Sequence, residues 1–285
     1  MSHPRVIETR CRTAISNSRL PENDYSVNPY HGCSHGCLYC YAIDFTREEV
    51  ARSPWGESIL PRTNICEVLR RQVVGIRRGI VALSTITDPY QHIEARYRLT
   101  RRCAKFLLEN GFTISIQTKS PLVLRDLDIW EKYEDRVDIG ITITTLDDRL
   151  SRIVEPFAPH PQSRVKALKI LSSKNIKTWI FLGPIIPHLN DSDDMIEDII
   201  FAASQTKSSV IFDRINFYPG MKKLMIEHFG DIAIKNMISD ADALWWKNVE
   251  RSIRELCALH DVECSSQKQD APPVGRWYSR DLWQF

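Results

Sequence analysis

From about residue 80 onward, short runs rich in β-branched residues alternate with longer charged segments that have helical periodicity. This alternation is typical of repeated βα units, in which a helix links each strand to a parallel neighbour. Six such units suit an open barrel better than a closed barrel of eight. The chain is therefore predicted to be an α/β protein with a partial (β/α)6 TIM-like barrel. The predicted strands are residues 25–30, 79–84, 112–116, 137–143, 177–182 and 209–212.

Helical segments lie between these strands, and several end at a glycine or asparagine, which is typical of a helix C-terminus. A further helical stretch covers residues 221–260. We therefore divide the chain into an N-terminal segment (1–24), a core domain (25–220) and a short C-terminal helical extension with a tail (221–285). The helices predicted between the strands cover residues 63–78, 95–110, 121–134, 161–174 and 192–206.

Composition limits the class of protein. The chain has 285 residues, of which 43% are hydrophobic, and this suffices for one large core. Its formal charge of +2 produces no strong overall electrostatic attraction to nucleic acid. Eight cysteines are too few for a disulfide framework in a chain of this size. The N-terminus lacks an apolar run of signal-peptide length, and no stretch of about 18 apolar residues occurs. We expect a cytoplasmic protein with no membrane partner.

Three cysteines with the spacing C-x3-C-x2-C carry the strongest chemical signal. Cys33, Cys37 and Cys40 lie in a glycine-containing loop after the first predicted strand. Three thiolates can each bind one iron of a 4Fe-4S cluster, and the fourth iron then stays open to chelate the amino and carboxylate groups of S-adenosylmethionine (SAM). A structural zinc site that includes His31 or His35 is the alternative. The aromatic residues at 39 and 41 and the polar strand ends downstream favour the cluster.

The same residues carry a family resemblance. The cysteine spacing, with an aromatic residue before the third cysteine, resembles the signature of the radical SAM superfamily. The resemblance covers residues 25–220 and implies a barrel of the radical SAM type, reductive cleavage of SAM to a 5′-deoxyadenosyl radical, and hydrogen abstraction from a substrate. Five segments narrow it to the spore photoproduct lyase-like, or DNA repair photolyase-like, branch: NPYHGCSHGCLYCYA, STITDPYQHIE, TKS, ITTLDDRLSRIVEPFAPHPQSR and GPIIPHLND.

The resemblance also implies cofactor contacts at the strand ends. In spore photoproduct lyase, a cysteine just before the hydroxyl residue of the second strand returns a hydrogen atom to the product radical. Residues 84–87 here read STIT and contain no thiol. Repair of a thymine dimer would therefore need a different cysteine in the site. The implied SAM contacts are Tyr39 and Gly183 at the adenine, Thr87 near the methionyl group, Lys119 at the carboxylate, and Thr144 or Thr145 at the ribose.

Partners and alternatives stay open at this stage. The resemblance implies a flavodoxin or ferredoxin as electron donor and suggests nucleic acid as the substrate class. Nucleic acid could contact the arginine clusters at 70–78 and 96–102, but these arginines could equally form a solvated helix face. It could also contact Arg276, Trp277 and Tyr278 in the tail, although packing explains these residues equally well. Cys66 and Cys103 fall in predicted helices, where buried structural thiols are expected.

Two other functions compete with a radical enzyme that acts on nucleic acid. One is a radical SAM modifier of a small molecule or peptide. The other is a non-enzymatic iron-sulfur protein for electron transfer or redox sensing, in which Cys257 and Cys264 could contribute a redox pair, although buried thiols are the simpler expectation there.

Overall fold

The computed structural model describes residues 4–267 except 19, 21 and 53, so the predicted motif at Arg276, Trp277 and Tyr278 lies outside the described residues. Two sheets organise this part of the chain. The strands are β1 (Arg5–Val6), β2 (Ile15–Asn17), β3 (Tyr25–Val27), β4 (Tyr30–His31), β5 (Ser58–Pro61), β6 (Ile80–Leu83), β7 (Thr113–Thr118), β8 (Val137–Thr142), β9 (Lys177–Ile185), β10 (Ser209–Arg214) and β11 (Cys264–Ser266).

The larger sheet has the strand order β2-β3-β6-β7-β8-β9-β10-β11. It is parallel from β3 to β11, and only β2 runs antiparallel to its neighbour. All six predicted strands are present and pair in sequence order, which confirms the partial TIM-like barrel, although the first ends at Val27 and Tyr30 belongs to the smaller sheet. Within the predicted C-terminal tail, Cys264–Ser266 forms a seventh parallel strand, which the sequence pattern did not indicate. This strand has no apolar run, and it exists because its backbone pairs with Val210–Phe212.

Twelve α-helices lie among the described residues. None of them is both long and apolar enough to cross a membrane. They are α1 (Ala42–Phe45), α2 (Glu49–Arg52), α3 (Ile65–Gln72), α4 (Glu94–Tyr97), α5 (Leu99–Glu109), α6 (Leu127–Trp130), α7 (Asp148–Val154), α8 (Pro161–Ser173), α9 (Asp193–Gln205), α10 (Pro219–Phe229), α11 (Asp231–Asp240) and α12 (Ala243–Leu259).

Two predicted helices differ from the structure. Residues 121–134 form 3-10 turns, Pro121–Asp126 and Glu131–Arg136, on either side of the single turn α6. The segment 95–110 is divided at Arg98, which has a left-handed φ of 51°. The second of its two helices begins there because the buried Glu94 carboxylate accepts hydrogen bonds from the backbone amides of Thr100 and Arg101, at 3.0 and 3.2 Å.

The strands bury one face and turn the other toward the barrel lumen. Ile114 and Ile116 of β7 are fully buried in the main core between sheet and helices. Their neighbours Ser115 and Gln117 line an interior cavity, because successive side chains of a strand point to opposite faces. The lumen of this barrel is therefore partly polar and hollow, whereas the lumen of a closed TIM barrel is filled by packed side chains.

The C-terminal extension is helical, as predicted, and it packs in two places. Helix α12 contributes Val249, Ile253 and Cys257 to the main core. Helices α10 and α11 form a second apolar cluster with the cysteine loop, in which Met221 and Met225 pack with residues such as Leu38 and Tyr39. The extension therefore supports the cysteine loop as well as covering one side of the barrel.

Helices α3 and α5 hold buried thiols and part of the basic residues. Cys66 and Cys103 are buried on these helices, as expected, and their Sγ atoms lie 3.6 Å apart.

Arg101 donates hydrogen bonds to Asp126 and Asp128 at 2.9 and 2.7 Å. This arginine of the predicted basic cluster is therefore engaged within the protein, and nucleic-acid contact by the remaining arginines stays a prediction.

Replacement of Glu94 by glutamine is expected to lower the free energy of unfolding by about 3 kcal/mol, since one partner of a buried ion pair is removed. Besides capping α5, the fully buried Glu94 accepts a hydrogen bond from the Tyr30 hydroxyl and pairs with Arg125 at 2.8 Å. Urea unfolding measures the loss. The matched control is Glu109→Gln, which removes an exposed ion pair with Lys105 and should cost less than about 0.5 kcal/mol. Equal losses for the two variants would contradict this account.

Candidate active site

The cysteine loop begins directly after β4, where the small sheet β1-β5-β4 holds it in place. At Gly32, φ is 75° and a Cβ atom would lie 2.3 Å from the carbonyl oxygen of Ser58 in β5. Gly36 also has a positive φ, 60°, and it packs against Gly56, whose Cβ atom would lie 3.0 Å from the Cα of Gly36. Both glycines are required because the loop turns sharply against neighbouring backbone.

Polar side chains at the end of β6 bind the loop to the barrel. The Thr87 hydroxyl donates to the Gly32 carbonyl at 2.6 Å. Gln91 is fully buried, donates to the same carbonyl at 3.1 Å and to Thr87 at 2.9 Å, and accepts from the Ser34 amide at 2.9 Å. Gln91 is not among the predicted site residues, although its position four residues after Thr87 was a usable signal.

Asp88 connects the same strand end to β7. Its carboxylate accepts hydrogen bonds from the Thr118 hydroxyl at 2.6 Å and from the Lys119 backbone amide at 2.7 Å. It also lies 3.4 Å from Nδ1 of the buried His35. Burial lowers the pKa of His35 to about 4 even though the charge of Asp88 opposes this shift. The imidazole is therefore neutral near pH 7 and is held between the cysteine loop and the strand ends.

A buried carboxylate, Glu155, organises the other side of the cysteine loop. It accepts hydrogen bonds from the hydroxyls of Tyr39 and Thr144 and from the guanidinium of Arg164. Lys119 Nζ lies 3.9 Å from its Oε1 atom and 5.4 Å from the centre of the Tyr39 ring. Arg164 is itself fixed by donating to the carbonyls of Thr142 and Pro159 at 3.1 and 2.8 Å.

The charges in this network stabilise one another. Burial alone would raise the pKa of Glu155, but Arg164 and Lys119 lower it to about 2. Burial alone would lower the pKa of Lys119, but Cys37 and Glu155 raise it above its ordinary value. The Glu155 carboxylate therefore faces two cations, Arg164 and Lys119, and these three side chains together carry a net positive charge beside the cysteine loop.

The structure brings five of the nine predicted site residues to one cavity of about 470 Å³. These are Cys33, Cys37, Cys40, Thr87 and Lys119. Three more form a buried group beside it: Tyr39 and Thr144, whose hydroxyls are 2.9 Å apart, and Gly183, whose carbonyl accepts from Thr144 at 3.1 Å. Thr145 lines a separate surface depression with Asp147 and Arg149. The SAM contacts proposed for these residues stay predictions.

The donor type fits an iron-sulfur cluster, since three thiols open onto one cavity, whereas no three His, Cys, Asp or Glu side chains among the described residues are placed to hold a single metal ion. Cys33 and Cys37 are buried and Cys40 is half-buried, and all three line the same cavity. Burial raises the pKa of each thiol to about 12, and the charge of Lys119 opposes this shift at Cys37 and Cys40. Ser84, also in the lining, has a left-handed φ of 69° and a buried Oγ with no hydrogen-bond partner among the described residues. Such strain and unmet polarity are typical of functional sites.

The fold and the cysteine site define the class of protein. A family model described as the radical SAM superfamily matches residues 27–201, and the chain belongs to this superfamily. It is also 32% identical over 191 residues to uncharacterized protein MJ0683 of Methanocaldococcus jannaschii, an alignment that covers 67% of this chain and 71% of that protein. It is 32% identical over 203 residues to uncharacterized protein Rv2578c of Mycobacterium tuberculosis, and there it spans 59% of the relative.

Solved structures are similar in fold. A spore photoproduct lyase complexed with dinucleoside spore photoproduct superposes with a TM-score of 0.66 at 14% sequence identity, over 92% of this chain and 81% of that chain. The likeness supports the barrel of the radical SAM type that the sequence predicted. At this identity it shows the fold and carries no information on the substrate.

Proposed function

We propose that this chain is a radical SAM enzyme in which Cys33, Cys37 and Cys40 bind a 4Fe-4S cluster and SAM binds beside it. The observation that carries the proposal is the opening of three cysteine side chains onto one cavity at the carboxyl ends of parallel strands. In such folds the strand ends are where ligands and catalytic groups collect. With cluster and SAM bound, the cofactor supplies a radical that abstracts a hydrogen atom from the substrate.

The residues of the chain then bind SAM and orient it. Lys119 is the cation for the SAM carboxylate, since the residue lines the cavity and its charge is favoured by Glu155. Thr87 contacts the methionyl side and also fixes the cysteine loop. Tyr39 and Gly183 contact the adenine and Thr144 contacts the ribose, with Thr145 as the alternative ribose contact. Residues of the lining exclude water from the reacting groups.

Nucleic acid is the proposed substrate class, with a small molecule or peptide as the alternative. Support comes from the five sequence segments that resemble the spore photoproduct lyase-like branch. The residues between Ser84 and Thr87 contain no thiol, so the reaction proposed here does not include hydrogen return from a cysteine at this position. A flavodoxin or ferredoxin is the proposed electron donor.

The test is release of 5′-deoxyadenosine from SAM. The protein is reconstituted anaerobically with iron and sulfide, reduced with dithionite, and the products are measured by chromatography and mass spectrometry. We expect release. Protein that carries a full cluster and releases none would contradict the proposal and favour an electron-transfer or redox-sensing role.

Replacement of Lys119 by methionine is expected to weaken SAM binding about 30-fold or more, because a buried charge partner is removed. The iron content should be unchanged, since Lys119 is not a thiol ligand. Equilibrium dialysis with labelled SAM measures the affinity. Lys105→Met, on an exposed side chain of α5, is the matched control and should bind SAM as the wild type does. A Lys119→Met protein with normal SAM affinity would exclude the assigned role.

A further inference from the structure

The cavity below the cysteine loop continues into the barrel between strands β6 and β10. Its lining includes Asp138 and Lys177 at the amino ends of their strands, so it extends along the barrel axis and not only across the strand ends. Two aromatic side chains of β9, Trp179 and Phe181, face it at successive inward positions. Neither residue is part of the cysteine or SAM site described above.

Each of these rings packs against a glycine on its own or the neighbouring strand, and the missing side chain of that glycine leaves room for the ring. A Cβ atom on Gly140 of β8 would lie 2.3 Å from the Trp179 ring, and one on Gly183 would lie 2.7 Å from the Phe181 ring. The Trp179 Nε1 atom also donates to the Asp138 carboxylate at 2.8 Å. The Trp179 ring is therefore held by this hydrogen bond before any ligand arrives, which reduces the entropy cost of binding.

The rest of the lining is rich in hydrogen-bonding groups. The Ser115 hydroxyl donates to Asp138 at 2.8 Å, and the Gln117 amide donates to the Thr142 hydroxyl at 3.1 Å. Two further oxygens of the lining, Ser84 Oγ and Asn23 Oδ1, are buried and have no hydrogen-bond partner among the described residues. A lining with this many polar groups disfavours a purely aliphatic ligand.

Aromatic faces next to polar atoms are suited to a planar ring that has donors and acceptors on its edge. Asp138 and Lys177 carry opposite charges at the amino ends of their strands, so the net positive end of the cavity is at Lys119, and a ligand with a ring and an anion would place its anion there. We propose that Trp179 and Phe181 form a stacking wall for a heteroaromatic ring of the nucleobase class, which presents the substrate below the cofactor site. The proposal rests on the radical SAM function and specifies its substrate.

The test measures binding of the four deoxynucleosides to the full chain with its cluster reconstituted, by saturation-transfer NMR and equilibrium dialysis. At least one nucleoside should bind the wild type saturably. Trp179→Leu should weaken that binding about tenfold, as expected for loss of one stacking ring. Trp179→Phe should retain most of the affinity. Phe201→Leu, at an exposed position of α9, is the matched control and should bind as the wild type does.

Gly140→Ala provides a second variant that keeps the ring but displaces it, and it should also weaken binding. Circular dichroism and urea unfolding of each variant verify that the protein is folded. Wild-type protein that binds no nucleoside, or that binds N-acetyltyrosinamide instead, overturns the stacking wall. So does a folded Trp179→Leu protein with unchanged affinity. Release of 5′-deoxyadenosine by wild-type protein that binds no nucleoside would reject this inference alone, whereas nucleoside binding without any release would reject the radical function.

Discussion

Replacement of Cys37 by serine is expected to reduce 5′-deoxyadenosine release to background and to lower the iron content of the reconstituted protein. The three cysteines of the loop are the proposed cluster ligands, and a serine hydroxyl is a poor substitute for a thiolate at iron. Cys37 is also buried against Leu38 and Met221 in the second apolar cluster, so its position is set by packing. The near-isosteric change keeps the side-chain volume and isolates the effect of the sulfur atom.

The matched control is Cys11→Ser, which changes a half-buried thiol of the N-terminal segment. It should keep both the iron content and the SAM cleavage of the wild type. Iron and sulfide analysis together with the product assay distinguishes the two variants. A Cys37→Ser protein that holds a full cluster and cleaves SAM at the wild-type rate would show that the loop does not ligate the iron as proposed.

Replacement of Glu155 by glutamine is expected to lower the free energy of unfolding by about 3–5 kcal/mol, because it leaves buried cations without their carboxylate. Glutamine preserves the size of the side chain and can still accept a hydrogen bond from Tyr39. It cannot neutralise Arg164 and Lys119, which are 0% and 15% exposed at their side chains. The loss should appear in urea unfolding monitored by circular dichroism.

Glu131→Gln is the matched control for this variant. Glu131 pairs with Lys174 at 2.8 Å, but both side chains are nearly half exposed, so the change should cost less than about 0.5 kcal/mol. If Glu155→Gln cost no more than this control, the buried network would not be a source of stability.

The stability from Glu155 should also depend on pH. Its pKa falls from an ordinary value of 4.5 to about 2 in the folded protein, because Arg164 and Lys119 outweigh the opposite effect of burial. A lowered carboxyl pKa means that the contribution is complete above about pH 4.5 and is lost as the pH falls from there toward about 2. The difference in unfolding free energy between the wild type and Glu155→Gln should therefore shrink across this interval. A difference that stays constant would indicate that the carboxyl is not ionised in the folded protein.

Residues that are close in the chain made much of this protein predictable. Alternating apolar residues in segments such as Ile114–Ile116 identify strands without any knowledge of their partners, and all six predicted strands pair in sequence order. The cysteine spacing is likewise local, because Cys33, Cys37 and Cys40 share one loop. The helix at 121–134 was less predictable, since 3-10 and α turns have similar local patterns and Pro121 fits the first turn of either.

Contacts between distant residues required the tertiary structure. Glu155 lies 116 positions from its hydrogen-bond partner Tyr39, and the local sequence offers only its neighbour Arg164 as a partner, not the tyrosine or Lys119. Strand β11 depends on pairing with β10, and the ring of Trp179 has its place because Gly140 on the neighbouring strand has no side chain. The six βα strands and the cysteine loop follow from residues that are close in the chain, because local periodicity and spacing encode them. The charges and rings that surround the loop follow from the folded chain alone, because burial and pairing across the sheet depend on the whole fold.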